Sequence, residues 1–229
     1  MKQYSLDPGE ITLDHFREFT RKKRLVPGRV ALQEQMEERF GALKRSGVKS
    51  VADLLKSLDS SSKIKHFSLK TGLPSDYLVL LNREAGSYLS KPFPLSDFPG
   101  IPYEYTELLK TRGIRNTRDL FEKLQVKREQ DALAASTGIP VYRLKELHAL
   151  CDLSRITGVG AVFARVIYEA GIRSLSGFAK TDVQVQVEKY RAVIEKYGYP
   201  AGNPGVDDIR YCMDYASIIA NCDEKQIRK

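Results

Sequence analysis

The feature that most constrains the fold of this sequence is an internal repeat. A glycine followed by a β-branched residue, with an Asp-Leu pair shortly after it, occurs at Gly47 and again at Gly113. The interval from Gly47 to Gly113 is called here the repeat interval. The same interval separates Thr-Gly-Leu-Pro at 71–74 from Thr-Gly-Ile-Pro at 137–140. Two landmarks with one interval imply no net insertion between them, so we expect two structurally equivalent segments.

A third, less regular copy follows the second at a somewhat shorter interval. Gly171 follows Gly113, and each of the two is followed by isoleucine. Leu95–Ile101 and Leu153–Val159 are separated by the same interval as these two glycines, and both stretches begin with Leu-Ser and end with a glycine and an aliphatic residue. The sequence therefore predicts three related units behind a different N-terminal segment.

The residues around the glycine turns are those that begin and end α-helices. Helix N-cap residue types follow each turn, namely Ser50, Asn116 or Thr117, and Ser174. Apolar residues then recur with helical spacing, as in Val51, Leu54, Leu55 and Leu58. The alternating stretch at 183–187 leads into a helical pattern, and the N-terminal segment predicts helices at 13–19 and 31–43. We therefore predict an all-α fold of short helices joined by glycine and proline turns.

Composition excludes several classes of protein. With 42% apolar residues among 229, the chain can form a sizeable core. It has no uninterrupted apolar window of about 18 residues to span a membrane, and residues 1–9 lack the apolar region of a secretory signal. Cys151, Cys212 and Cys222 fit neither a disulfide framework nor a zinc pattern. We expect a cytoplasmic monomer that binds no membrane, metal or cofactor.

One stretch predicts a site for phosphate. Residues 156–164 read Ile-Thr-Gly-Val-Gly-Ala-Val-Phe-Ala, which indicates a helix, a tight turn and a second helix. Gly158 permits the turn, Val159 fills the small core between the helices, and Ala164 allows them to approach closely. Gly160 opens the second helix with uncovered backbone N–H groups, which favour an anion at this end of the helix dipole.

These residues carry a resemblance to a known motif. Leu153–Gly171 resembles a helix-hairpin-helix, the phosphate-binding unit of many DNA repair and recombination proteins. The longer stretch from Thr137 through Asp152–Gly160 to Ile172 is similar to a bacterial domain family of unknown function built from tandem helix-hairpin-helix units. That resemblance covers roughly residues 93–220. It implies a SAM-like all-α fold and no established activity.

The repeats and the resemblance together predict the domain organisation. We expect tandem degenerate helix-hairpin-helix units behind an N-terminal helical extension. The predicted ranges are 1–39 for the extension, 40–91 for the first unit, 92–151 for the second, and 152–229 for the third with C-terminal helices.

The middle copy departs from the DNA-binding pattern. It reads Gly100-Ile101-Pro102, and proline has no N–H to offer a phosphate. Paired hairpins that hold both strands of a duplex are therefore not expected. Two interpretations stay open: the hairpins only pack helices together, or the Gly158–Gly160 hairpin contacts a phosphate.

Charge adds a second argument for a polyanion. The chain has a net charge of +8, and basic residues recur beside the equivalent glycine turns: Lys44, Arg45 and Lys49 at the first, Lys110, Arg112, Arg115 and Arg118 at the second, and Arg173 at the third. This pattern favours one shared basic face. The run Arg21–Arg24 is either a phosphate-binding stripe or a solvated helix end, and Tyr103, Tyr105 and Tyr142 fit packing better than stacking on bases.

Catalytic patterns are missing from the sequence. There is no P-loop motif, and His15, His66 and His148 are scattered. Helix-hairpin-helix glycosylases carry a lysine soon after the hairpin, whereas here no lysine follows Gly160 before Lys180. We therefore expect no enzymatic activity.

The leading hypothesis is a nucleic-acid-associated module that binds DNA backbone phosphates without sequence specificity. The residues predicted to contact nucleic acid are Gly158, Val159, Gly160, Ala161, Arg155, Arg165, Arg173, Lys110, Arg112 and Arg115. The alternative is a protein–protein interaction scaffold in which the hairpins serve only for packing.

Overall fold

A computed structural model describes residues 2–23, 25 and 27–227. Regular structure within these residues is helical, and their β-type pairing is limited to two isolated bridges, Thr12–Ser50 and Pro94–Asn116. The predicted all-α fold is thereby confirmed.

The chain divides into two compact units. The N-terminal unit is Leu6–Leu89, and the C-terminal unit combines Met1–Ser5 with Ser90–Lys229. The predicted boundary at 91/92 lies close to this junction, whereas the predicted boundaries at 39/40 and 151/152 fall inside the compact units. Residues 228 and 229, at the end of the predicted third unit, lie outside the described residues.

Short helices and one aromatic cluster form the N-terminal unit. Its core includes the fully buried rings of Phe16, Phe40 and Tyr88, and Phe16 lies 5.3 Å from Tyr88 and 6.0 Å from Phe40 between ring centroids. In chain order its helices are α1 (Leu13–Lys22), a 3₁₀ helix (Pro27–Leu32), α2 (Met36–Arg45), α3 (Val51–Ser57), α4 (Ser61–Thr71) and α5 (Ser75–Ser87).

The helix predicted at 31–43 is wrong in its first part. A 3₁₀ helix ends at Leu32, Gln35 adopts left-handed backbone geometry with φ 47°, and α2 begins only at Met36. The break allows Gln33 Nε2 to donate to the Thr20 and Lys23 carbonyls at 2.9 and 2.8 Å. These bonds satisfy carbonyls at the end of α1, a tertiary requirement that local periodicity does not record.

The C-terminal unit continues the same pattern of short helices. A 3₁₀ turn (Leu95–Asp97) precedes α6 (Tyr103–Thr111), α7 (Thr117–Lys123), α8 (Lys127–Thr137), α9 (Val141–Leu153), α10 (Ala161–Glu169), α11 (Leu175–Phe178), α12 (Val183–Tyr197) and α13 (Val206–Ile227). The alternating stretch at 183–187 is the first turn of α12, where the Asp182 side chain accepts the Val185 N–H and caps the helix.

Three helices of each unit have bounds that are related by the repeat interval. This holds for both ends of α3 and α7, of α4 and α8, and of α5 and α9. Gly72 and Gly138 end α4 and α8 with φ of 75° and 73°, and each N–H donates to the carbonyl four residues earlier at 2.8 Å. Because the left-handed region strains residues with a side chain, glycine is strongly favoured at both C-caps.

The other glycine turns share one local structure. Gly47, Gly113 and Gly171 all have positive φ, and the residue after each donates its N–H to a carbonyl five residues back, at 3.0–3.2 Å. This pattern is a Schellman-type helix end. The next helix then begins at an N-cap of the predicted kind, namely Ser50, Asn116 or Ser174. Of the two predicted alternatives for the second turn, Asn116 is the cap.

Candidate nucleic-acid interface

The Gly158–Gly160 hairpin has the backbone geometry expected from its sequence. Gly158 adopts a φ of +87°, and Val159 donates its N–H to the Ile156 carbonyl at 2.9 Å. Val159 and Ala164 are buried, as predicted. Gly160 is the N-cap of α10 and provides no side-chain cap, so the first N–H groups of α10 lack that partner.

The electrostatic surroundings of this hairpin are unfavourable for phosphate. The hairpin forms one wall of a pocket of about 530 Å³, called here the hairpin pocket, and the exposed carboxylates of Asp97 and Asp208 also line it. Neither lysine nor arginine is among the lining residues. These two carboxylates repel any anion at the start of α10, and this repulsion offsets the attraction of the helix dipole for the anion. The complete lining is Asp97, Gly158, Gly160, Ala161, Val162, Phe163, Ala201, Gly202, Pro204, Asp208, Ile209 and Cys212.

The prediction that Arg155 contacts phosphate is wrong. Its side chain is 1% exposed, and its guanidinium binds Asp152 and Asp223 at 2.7–2.9 Å. Arg155 Nε also donates to the Tyr4 carbonyl at 3.0 Å. The guanidinium lies 4.5 Å from the centre of the Phe121 ring. Arg155 therefore holds α9, α13 and the segment around Tyr4 together inside the unit.

The same correction applies to Arg165 on α10. It is 3% exposed, its Nη1 binds Glu146 Oε1 at 2.5 Å, and its Nε donates to the Pro99 carbonyl at 2.8 Å. Burial opposes ionisation of Glu146, but hydrogen bonds from Arg165 and Arg143 hold the pKa of this carboxyl below its ordinary value. Arg165 thus connects α10 to α9 and to the turn before α6.

The exposed cations of the C-terminal unit concentrate instead in a segment that runs from Lys110 to Arg128, called here the cationic segment. The segment contains seven exposed basic side chains and two acidic residues. The basic residues are Lys110, Arg112, Arg115, Arg118, Lys123, Lys127 and Arg128, and the acidic residues are Asp119 and Glu122. Several of the seven already have partners. Lys110 pairs with Glu107 at 2.6 Å, Lys123 with Glu129 at 2.8 Å, and Arg112 donates to the Ser136 carbonyl at 2.6 Å.

Four exposed cations of this segment form no ion pair within the described residues. Within the described residues, no carboxylate pairs with Arg115, Arg118, Lys127 or Arg128, and all four side chains are exposed. Asp119 forms no ion pair with them among the described residues, and its carboxylate accepts the backbone N–H of Arg115 at 2.9 Å as a helix-start contact. Sequence reasoning included Arg115 in the site but missed Lys127 and Arg128, which follow no glycine turn.

The start of α8 is unusual for a helix N-terminus. At the equivalent position in α4, Ser60 caps the helix by accepting the Lys63 N–H, and Ser61 and Ser62 follow. In α8 the N-cap is Val126, which provides no side-chain hydrogen bond, and the first turn contains Lys127 and Arg128 ahead of one acidic residue, Glu129, which pairs with Lys123. Cations here oppose the helix dipole. Helix stability therefore does not account for them.

Arg173 and Tyr142 meet at a second pocket, of about 470 Å³, called here the Tyr142 pocket. Arg173 stacks on Tyr168, with its guanidinium carbon 3.7 Å from the ring centre, and it also donates to the Tyr168 carbonyl. Tyr142 is 65% exposed, and Tyr103 is 66% exposed, so neither lies in the core, and of the predicted core or rim packing only the rim is open to them. The pocket is lined by Gln130, Tyr142, Lys145, Glu146, His148, Ala149, Tyr168 and Arg173. The lining therefore combines two exposed cations, Lys145 and Arg173, with aromatic rings and one carboxylate residue, Glu146.

The N-terminal basic run is engaged in ion pairs. Arg21 pairs with Glu18 and Glu37, and Lys23 Nζ binds the fully buried Glu84 at 2.7 Å. Arg24, the last residue of the run, lies outside the described residues. These pairs favour the interpretation of Arg21–Lys23 as a helix end over that of a phosphate-binding stripe.

No alternative chemistry emerges from the rest of the described chain. It contains no group of three or more His, Cys, Asp or Glu residues that could hold a metal ion. Cys151, Cys212 and Cys222 are all buried, and burial raises the pKa of the Cys151 thiol well above its ordinary value. None of the helices among the described residues has the length and apolar character needed to cross a membrane.

Comparison with known proteins gives one finding. A family model described as "Domain of unknown function (DUF4332)" matches residues 99–199, which is less than half of the chain. The predicted resemblance to a domain family of unknown function is thereby confirmed over that range, which includes the cationic segment and the hairpin. No curated protein and no solved structure matches the chain.

Proposed function

We propose that this chain is a non-enzymatic, nucleic-acid-associated binding module that contacts backbone phosphates without reading base sequence. The observation that carries the proposal is the cationic segment, where Arg115, Arg118, Lys127 and Arg128 are exposed and free of carboxylate partners within the described residues. Cations that neither pair with carboxylates nor stabilise their helix are available to neutralise phosphates.

We also propose that the chain is built of tandem helix-hairpin-helix-type units in which the hairpins chiefly pack helices. The helix bounds that recur at the repeat interval and the common glycine-turn hydrogen bonds support this organisation. In this view, phosphate contact shifts from the Gly158–Gly160 hairpin, beside which Arg155 and Arg165 are buried, to the cationic segment.

Binding to a duplex DNA of arbitrary sequence tests the proposal. We expect a variant with Arg115, Arg118, Lys127 and Arg128 all changed to Gln to lose affinity. Each lost phosphate contact makes the negative slope of log affinity against log salt shallower by about 0.9. The matched control changes four other exposed cations, Lys65, Arg83, Lys180 and Lys189, to Gln and has the same net charge.

The comparison between the two variants decides the outcome. If the control retains most of the affinity while the first variant loses it, the cationic segment is the contact surface. Equal losses would show a diffuse charge effect and contradict the assignment. If the parent protein binds no DNA at low salt, nucleic acid is removed as the partner.

A protein-interaction role is a second candidate because of one observation, the apolar hairpin pocket with its two carboxylates. Its chemistry opposes phosphate and suits a different kind of ligand.

A further inference from the structure

The hairpin pocket is apolar because of the residues that form its walls. Phe163, Pro204 and Ile209 contribute apolar surface, and Gly158 and Gly160 contribute backbone without side chains. A Cβ atom added at Gly160 would meet no heavy atom within 4 Å, so this wall is open. A volume of about 530 Å³ lies within the range of about 300–1,000 Å³ typical of ligand pockets.

The pocket opens at the surface of the C-terminal unit. Five of its lining residues are exposed, namely Asp97, Gly158, Gly160, Gly202 and Asp208. A ligand can therefore lie across the opening and insert only part of itself. An extended peptide that places one side chain in a pocket has this geometry.

The charge at the opening selects the kind of peptide. Asp97 forms no ion pair within the described residues, and Asp208 accepts only the Gly205 N–H, at 3.1 Å, among the contacts of its carboxylate there. Both carboxylates are exposed, in a protein whose net charge is +8. A complementary ligand has a positive charge beside an apolar group, whereas an acidic ligand or a phosphate would be repelled.

We propose that the hairpin pocket docks a short segment of a partner protein that inserts one leucine or phenylalanine side chain and places lysine or arginine beside Asp97 and Asp208. The hairpin then acts as a peptide-binding wall. This proposal does not depend on nucleic-acid binding, because the cationic segment contributes no residue to the pocket.

Three fluorescein-labelled peptides test the proposal by anisotropy with the full chain. The first is Gly-Lys-Leu-Phe-Lys-Gly, the second has Glu in place of both lysines, and the third has Gly in place of Leu-Phe. We expect the first peptide to bind about tenfold more tightly than either of the others, since only it matches both the charge and the apolar lining. Equal binding of all three peptides, or binding of none, would overturn the proposal.

Two variants locate the peptide on the protein. Gly160 has a φ of −85°, which leucine adopts without strain, so Gly160→Leu adds a bulky side chain to the wall of the pocket and should strongly weaken binding of the first peptide. Its control is Gly86→Leu on α5, where an added Cβ also meets nothing within 4 Å. Asp97→Asn with Asp208→Asn should weaken binding of the lysine peptide about tenfold, against Asp131→Asn as the control.

The variants also separate other occupants of the pocket. Peptide binding that survives Gly160→Leu would place the peptide elsewhere and contradict the proposal. Concentration-dependent self-association that Gly160→Leu abolishes, without peptide binding, would overturn it in favour of a second copy of this chain. If Gly160→Leu fails to fold by circular dichroism, the Asp-to-Asn pair still decides the question.

Discussion

The Gly158–Gly160 hairpin and the cationic segment at Lys110–Arg128 differ in which part of a phosphate site they provide. The hairpin provides open backbone N–H groups, and the cationic segment provides exposed positive charge. The hairpin has open N–H groups at a helix start, but carboxylates lie beside it, and Arg155 and Arg165 are buried. The cationic segment has exposed cations without carboxylate partners among the described residues and an uncapped helix start at Val126. The backbone conformation of a motif and the position of exposed cations are therefore set independently. A sequence that matches the hairpin does not show where the exposed cations lie.

The difference follows from where each arginine finds a partner. Arg155 pairs with the buried carboxylates of Asp152 and Asp223, and Arg165 pairs with the buried Glu146, so the charge of each arginine is already matched inside the unit. Arg115 and Arg118 are exposed at a short helix start and stabilise nothing by pairing with a carboxylate in the part of the chain described.

Removing Arg155 should strongly destabilise the C-terminal unit. Arg155→Ala leaves the buried Asp152 without its cation and leaves Asp223 with only Lys2, whose Nζ lies 3.7 Å away, and breaking a buried pair in this way typically costs about 3–5 kcal/mol of unfolding free energy. Urea unfolding monitored by circular dichroism measures this loss. The control, Arg118→Ala, should change stability by no more than about 0.5 kcal/mol, because its side chain is exposed. A loss of less than about 1 kcal/mol for Arg155→Ala would contradict its structural role.

The start of α8 should gain stability from a better cap. Val126→Ser supplies the side-chain acceptor that Ser60 provides in α4, and we expect a gain of about 1 kcal/mol. The reciprocal change Ser60→Val should cost a similar amount, and thermal unfolding of both variants gives the comparison. If Val126→Ser brings no gain, the two helix starts do not differ in the way described here.

A smaller, pH-dependent effect is expected from His148 on α9. Burial lowers the pKa of this imidazole below its ordinary value of 6.5, and its ring stacks on Phe121. The unfolded chain then binds a proton before the folded chain does, so stability falls as the pH drops from about 6.5 toward the folded pKa. His148→Phe keeps the stacking and should flatten this part of the stability profile.

The exposed His66 provides the matched control for that profile. His66→Phe makes the same substitution at an exposed position, so it separates the effect of removing the buried imidazole from that of a histidine-to-phenylalanine change in general. An unchanged profile of stability against pH in His148→Phe would mean that another group causes the loss of stability at acidic pH.

Features set by neighbouring residues could be predicted from the sequence. The N-caps at Ser50 and Ser174, the C-caps at Gly72 and Gly138, and the turn at Gly158 depend on contacts within a few residues, so composition and spacing contain them. The repeat interval likewise predicted equivalent helices in the right order.

Features set by distant partners could not be predicted. Arg155 is buried because it binds Asp223 and the Tyr4 carbonyl. These partners are 68 and 151 residues away in sequence, so no local sequence pattern predicts the contacts. The break before α2 depends on Gln33 reaching the end of α1, and the hairpin pocket depends on Asp97 and Asp208 from other segments. The sequence therefore predicted the backbone conformation of the hairpin, but it misassigned the charged residues Arg155 and Arg165 to phosphate contact.

The central claim, that the cationic segment rather than the hairpin is the phosphate-contacting surface, is tested most directly by the salt dependence of duplex DNA binding in two variants. Gly160→Asp places a carboxylate at the hairpin in a residue type that caps α10 well, so folding is preserved while a phosphate there is repelled. We predict that Gly160→Asp keeps the parent slope of log affinity against log salt, and that the fourfold Gln variant of the cationic segment makes this negative slope shallower by up to about 3.6, or about 0.9 per contact. A reduced slope in Gly160→Asp with an unchanged slope in the fourfold variant would contradict the account and return the phosphate to the hairpin.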